Sequence, residues 1–242
     1  MPLEPGMKST SLVYRAVLVI MLLAALLGIY YTARWMRADL IVDEVLYQTE
    51  QWAAAGSVPN LETWQWAEAE LRRAERLDPR KANTHRLLGV VQEWRPFVQG
   101  APLTASQRVQ FRNRAIDHYR DSARLRPAWP DVWAYLARQK AAMSLLDDEF
   151  SLALERADTL GQWQSRVQLY MAEIGAGAWE QLNAEDRQRV VAAVERAFSL
   201  PGNSNALLAQ FRTMNTMDFL TTTLCPQLDL SNATERARQA CQ

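Results

Sequence analysis

The chain has 242 residues, 49% hydrophobic and 22% charged, with 27 Lys+Arg against 27 Asp+Glu. That is enough apolar material to bury a core, which excludes wholesale disorder. Residues 1–40 carry Lys8, Arg15, Arg34 and Arg37, so the remaining body is slightly acidic, which excludes nucleic acid as the main partner because phosphate binding needs a basic excess. Only nine glycines and no extended Val/Ile/Thr alternation point to helix rather than sheet.

Residues 1–15 form a short polar leader. Ala16–Ala33 then runs without a charge, and at about 1.5 Å per residue it covers about 27 Å, the thickness of a bilayer's hydrocarbon core. Arg15 and Arg34 bracket it and Tyr30, Tyr31 and Trp35 gather at one end, as in an interfacial aromatic belt. A cleaved signal peptide needs small residues after the apolar run, where Ile29-Tyr30-Tyr31 stands instead. A buried core helix needs a polar face. The expectation is an uncleaved transmembrane anchor over 16–33, in contact with the lipid bilayer. The flanking positive charges nearly tie, but a short leader before a long domain favours a cytoplasmic N-terminus.

Beyond the anchor, Arg37–Ala55 continues as helix with Leu40, Val45, Leu46 and Trp52 available for packing, up to a break at Gly56–Asn60. Asn60 can cap the next helix, Leu61–Leu77. Within it Ala67, Leu71 and Ala74 share one face, and Pro79 follows five residues after Ala74. Ala115, Tyr119, Ser122 and Pro127 repeat that spacing in the same register. Leu88-Gly89 lies in a helix starting near Ala82, and Trp133, Leu136 and Ala137 begin another stripe after Pro130. Between Trp94 and Arg108 the pattern is interrupted by a Pro/Gly-containing insertion, expected to loop between paired helices. Phe150, Leu154 and Ala157 supply the next second helix, a degenerate pair runs from Gln164 to Leu200, and 205–220 and 231–240 close the chain.

Four positions repeating in identical register, followed by Pro and then Trp-x-x-Leu-Ala, resemble the junction between tetratricopeptide (TPR) repeats. The resemblance covers roughly residues 40–200 and is sharpest in two first helices and two second helices. It implies an all-α fold: an anchor, a right-handed stack of antiparallel helix pairs over 34–200 with the insertion at 94–108, and capping helices over 201–242. It also implies a concave groove that binds a peptide or protein segment, with contacts at Asn83, Arg86, Glu93, Asp131 and Arg138. A plain solvated role for these five polar residues stays open.

The remaining chemistry is sparse. Cys225 and Cys241 are the only cysteines. Outside the cytoplasm a disulfide between them would restrain the unfolded chain by about 3 kcal/mol; in a reducing compartment they would be two thiols. His85 and His118, the only histidines, sit on separate helices without metal-ligand spacing. They are expected to be surface or groove residues, with no metal site and no cofactor. Arg108, Arg112, Arg114, Arg120, Arg124 and Arg126 crowd one helix with Asp117 and Asp121, either as a solvated charged face with i+3 pairs or as a patch for anionic headgroups. Of nine tryptophans, Trp64, Trp133 and Trp163 fall on apolar stripes and are expected in the core, while Trp66 and Trp94 are candidates for contact surfaces. No Gly-rich phosphate loop, GxSxG elbow or convergent carboxylate pair appears, so no enzyme is expected.

Three lysines among 27 basic residues hint at a bacterial source. Anchor plus short repeat array is similar in layout to exopolysaccharide-cluster accessory proteins of the VpsP type, and to periplasmic TPR partners of the secretion translocon and of cytochrome c maturation. The expectation is an inner-membrane scaffold with a periplasmic body that binds other membrane or periplasmic proteins of an envelope assembly. A chaperone-like role toward newly exported clients is the alternative.

Overall fold

The computed structural model describes residues 6–54 and 58–242, with side chains omitted for 6–12 and 54. The first five residues of the leader, and Ala55, Gly56 and Ser57 at the expected break, lie outside the described residues. Among those described the chain is all-α, without a strand. The helices are α1 (Gly6–Ala54), α2 (Leu61–Leu77), α3 (Ala82–Trp94), α4 (Ala105–Leu125), α5 (Pro130–Ala141) and α6 (Asp148–Leu160). They continue with α7 (Ser165–Ala178), α8 (Ala184–Ser199), α9 (Pro201–Thr213), α10 (Met217–Phe219) and α11 (Glu235–Ala240).

Local chemistry sets most of these boundaries. Asn60 accepts from the Thr63 amide at 2.8 Å to start α2, and Asp147 and Asn183 do the same for α6 and α8. Thr104 and Gln107 form a reciprocal capping box on α4, so Ala105–Arg108, expected in the insertion, is helical. What remains of that insertion is an ordered turn: Val98 is buried, and the Gln99 amide donates to the Pro59 carbonyl at 3.2 Å. Pro130 and Pro201 open α5 and α9 at positions where a missing N–H costs nothing.

Residues 6–15 of the leader and the anchor belong to one unbroken helix. α1 is 49 residues long, about 73 Å at 1.5 Å per residue, and is the one described helix long and apolar enough to cross a membrane. Its apolar stretch is wholly exposed, whereas Ala38, Val42, Val45 and Trp52 further on are buried. Leu40, expected to pack, is 62% exposed because it points away from that stripe. Arg34 donates to the carbonyls of Arg76 (3.1 Å) and Leu77 (2.9 Å) at the end of α2, satisfying orphan helix-end acceptors. Asp39 pairs with Lys81 at the start of α3. The apolar half of α1 is thus fastened to the helical body without a linker.

Helices pack in sequence and also skip one neighbour: α1 touches α2 and α3, α5 touches α6 and α7, α7 touches α8 and α9, and α6 touches α8. α1, α3, α5 and α7 border one common cleft. Buried side chains form two cores, one from α1–α3 with Val98 and a larger one from α4 to α11. α3 and α4 meet at the seam, and their approach depends on Gly89. A Cβ there would lie 2.5 Å from Tyr119 Cε1, so only glycine allows this spacing. Gly175 and Val190 repeat the arrangement between α7 and α8. At the far end, α10 runs into a π turn (Leu220–Leu224) and a 3-10 turn (Cys225–Gln227). Cys225 and Cys241 are joined in a disulfide, Cα–Cα 5.5 Å, which ties α11 to that turn.

Trp163 is a correction. Its stripe assignment put it in the core, but it sits in the turn between α6 and α7 and is 64% exposed. Trp64 is buried, with its indole N–H donating to the Val91 carbonyl at 2.7 Å; Trp133 is half-buried.

Candidate functional site

The cleft has a volume of about 530 Å³ and is lined from α1, α3, α5 and α7 with the start of α4 at one edge. Arg86, Glu93 and Arg138 line it. Asn83 does not, but its Oδ1 accepts from Arg86 Nε at 2.9 Å and orients that guanidinium. Asp131 lies outside, in the first turn of α5.

The floor of the cleft is a network around Glu93. Tyr119 Oη donates to one of its carboxylate oxygens and Arg138 to the other. Arg138 also reaches Glu173 at 3.4 Å and lies over the rings of Tyr170 (4.7 Å to centroid) and Tyr135 (5.7 Å). Burial works against the Arg138 charge, yet the facing Glu93 and Glu173 more than offset it, so its pKa stands well above the ordinary value. Tyr119, Tyr135 and Tyr170 stack in succession, with centroids 5.1 and 5.0 Å apart. Arg138 Nε remains buried without a partner.

The walls are less balanced. Arg86, Arg112 and Arg166 line the cleft, and among the described residues Arg86 and Arg112 form no ion pair, while Arg166 is hydrogen-bonded to Tyr135 and has the Asp131 carboxylate near it. Arg86 is only 5% exposed and rests on the Trp129 ring at 5.2 Å. Arg166, Tyr170 and Glu173 were not singled out from the sequence, and Arg112 was read only as part of the arginine crowd on α4. Arg166, Tyr170 and Glu173 follow i, i+4, i+7 spacing, which in hindsight marks one face of α7. Most of the other arginines crowded on α4 are engaged elsewhere: Arg120 binds Glu149 and Asp117, Arg124 binds Asp121, Arg126 lies over Trp129, and Arg114 lies over Phe111 rather than pairing with Asp117.

The two histidines depart most from expectation. Neither lies on the outer surface or in the cleft: His85 is 7% and His118 8% exposed. They face each other with ring centroids 6.2 Å apart. Together with Glu75 they put three ligand-type atoms within 4.8 Å of one another. Burial, reinforced by the Arg72 guanidinium, pushes His118 down to about 4 and keeps it neutral. Sequence spacing could not find this group because its members come from α2, α3 and α4.

Among known proteins, no family model and no curated sequence matches the chain.

Proposed function

We propose that this protein is a non-catalytic, membrane-anchored scaffold of TPR-like construction, whose cleft holds an acidic segment of a partner in bacterial envelope machinery. Assembly of exopolysaccharide biosynthesis or export is the setting its layout suggests best. The observation that carries the reading is the cleft wall, where Arg86 and Arg112 form no ion pair and Arg166 has only Asp131 near it, beside a floor in which Glu93 and Arg138 are already paired. Arg86, buried and held by Asn83 and Trp129 but by no carboxylate, favours one arriving from outside. The alternating contacts of odd and even helices, and the Gly89–Tyr119 approach, support the repeat construction. The exposed apolar half of α1 supports the anchor, and the Cys225–Cys241 disulfide supports an oxidising compartment for the body. A charged cleft also speaks for a specific partner tail over a chaperone's apolar surface.

The test is in-cell cross-linking from a photoreactive residue at Gln139, which lines the cleft, followed by purification and mass spectrometry. Capture of glycosyltransferases, a polymerase or an exporter, lost in an Arg112→Glu/Arg166→Glu variant, is the expected result. Translocon subunits with a spread of exported proteins would move the assignment to the chaperone class. Capture unaffected by the charge reversal would remove the cleft as the docking site.

A further inference from the structure

We propose that Glu75, His85 and His118 form a binding site for a divalent transition metal, zinc in the first instance, with Asp121 within reach as a fourth ligand. The proposal is separate from the cleft and from any partner held there. It begins with the His85 ring. His85 Nε2 lies 3.0 Å from the Pro79 carbonyl oxygen, which can only accept, so Nε2 carries the proton. Nδ1 is then the ring atom that would supply its lone pair to a metal. It is buried without a hydrogen-bond partner, and it points at Glu75 Oε1 at 3.7 Å and Asp121 Oδ2 at 4.0 Å. Three acceptor atoms thus converge, and the compensating charges, Arg72 on the other oxygen of Glu75 and Arg124 on the other oxygen of Asp121, lie to their sides rather than between them.

The geometry suits a metal. Two ligands about 2.1 Å from a tetrahedral zinc are about 3.4 Å apart, and the His85–Glu75 pair is near that before any adjustment. A ligating histidine usually donates its other ring N–H to a carbonyl or carboxylate, which fixes ring orientation and tautomer; Pro79 plays that part for His85. His118 completes the set from α4. Its Nδ1 is also buried and unpartnered, and its Nε2 lies 3.3 Å from Arg72 Nη2.

Arg72 shows what the site wants. Its guanidinium bridges Glu75 Oε2 (3.2 Å) and His118 Nε2 (3.3 Å), standing in for a cation between two of the ligands. The side chain is 38% exposed, so it can swing into solvent when a metal enters, releasing His118. A divalent ion would then join α2 to α3 and α4, across the seam between the two hydrophobic cores.

The experiment uses the full chain, purified in detergent without a polyhistidine tag and stripped with a chelator. Zinc is then titrated in competition with a chromogenic chelator, with metal content measured by elemental mass spectrometry and the melting midpoint recorded at each stage. The expected result is one zinc per chain and a raised midpoint. Glu75→Gln should weaken binding about tenfold or more. Arg72→Ala should tighten it by removing the competitor, a gain of function that misfolding cannot imitate. Substoichiometric zinc, one zinc retained in the His85→Gln/His118→Gln variant, or an affinity unmoved by Arg72→Ala would overturn the assignment. Failure of the native chain to bind zinc would likewise overturn it.

Discussion

Replacing Gly89 by Ala tests the packing on which the repeat construction rests. On an exposed helix the change stabilises by about 1 kcal/mol, because Ala is the better helix former. At Gly89 the new methyl would sit 2.5 Å from Tyr119 Cε1 and 2.7 Å from Cζ. The ring cannot retreat: Tyr119 is 0% exposed, stacks on Tyr135 with planes 14° apart, and is tethered to Glu93 through its hydroxyl. Overpacking of this kind costs about 1–3 kcal/mol. The net effect is then a loss of up to about 2 kcal/mol, or a midpoint lower by up to about 8 °C for a chain of this size. Thermal unfolding in detergent, followed by far-ultraviolet circular dichroism, measures it. In a Tyr119→Leu background the same substitution should be neutral or stabilising, because the clashing ring edge is gone. A Gly89→Ala chain that melts higher than the parent in the native background would refute the α3–α4 packing described above.

Two further outcomes are expected. Arg120 and, after the cost of desolvation, Lys140 hold Glu149 down to about 2, against an ordinary value of 4.5; a depressed carboxylate stabilises above its unfolded pKa and loses that contribution as pH falls toward the folded one. Solvent screening of a side chain about one-third exposed limits the effect to about 1–2 kcal/mol, so Glu149→Gln should lower the midpoint at pH 7 and hardly at all near pH 2. An equal loss at both pH values would rule the electrostatic account out. Reducing the Cys225–Cys241 disulfide should cost about 3 kcal/mol, seen as a lower midpoint and as faster hydrogen exchange around α11; exchange unchanged by reductant would show that α11 is held by packing alone.

Much of the fold was legible because its signals are local. Asn60, Asp147 and Asn183 cap helices from within three residues. The repeated Ala–Leu/Tyr–small–Pro spacing is one helical face written twice, and its members Ala67, Leu71, Ala74, Ala115, Tyr119 and Ser122 are all buried. The apolar run of α1 needs only composition to be seen.

The cleft and the histidine cluster were not legible, for the opposite reason. Arg86, Glu93 and Arg138 could be singled out as polar positions of helix faces. That Arg138 spans 45 residues to meet Glu93, while Arg86 and Arg112 form no ion pair, depends on how α3, α4, α5 and α7 meet. Trp163 shows the same limit, since an apolar residue on a helical stripe still lands in solvent when the helix ends one turn earlier. The sequence by itself determined where the helices lie, which face each buries and that one is apolar enough for a bilayer, because those depend on neighbours three and four residues away. Only the tertiary structure decided that α1 runs from the apolar stretch into the core without a joint, and that Glu75, His85 and His118 converge. Side chains 46 residues apart, as Arg72 and His118 are, meet only when the helices between them have packed.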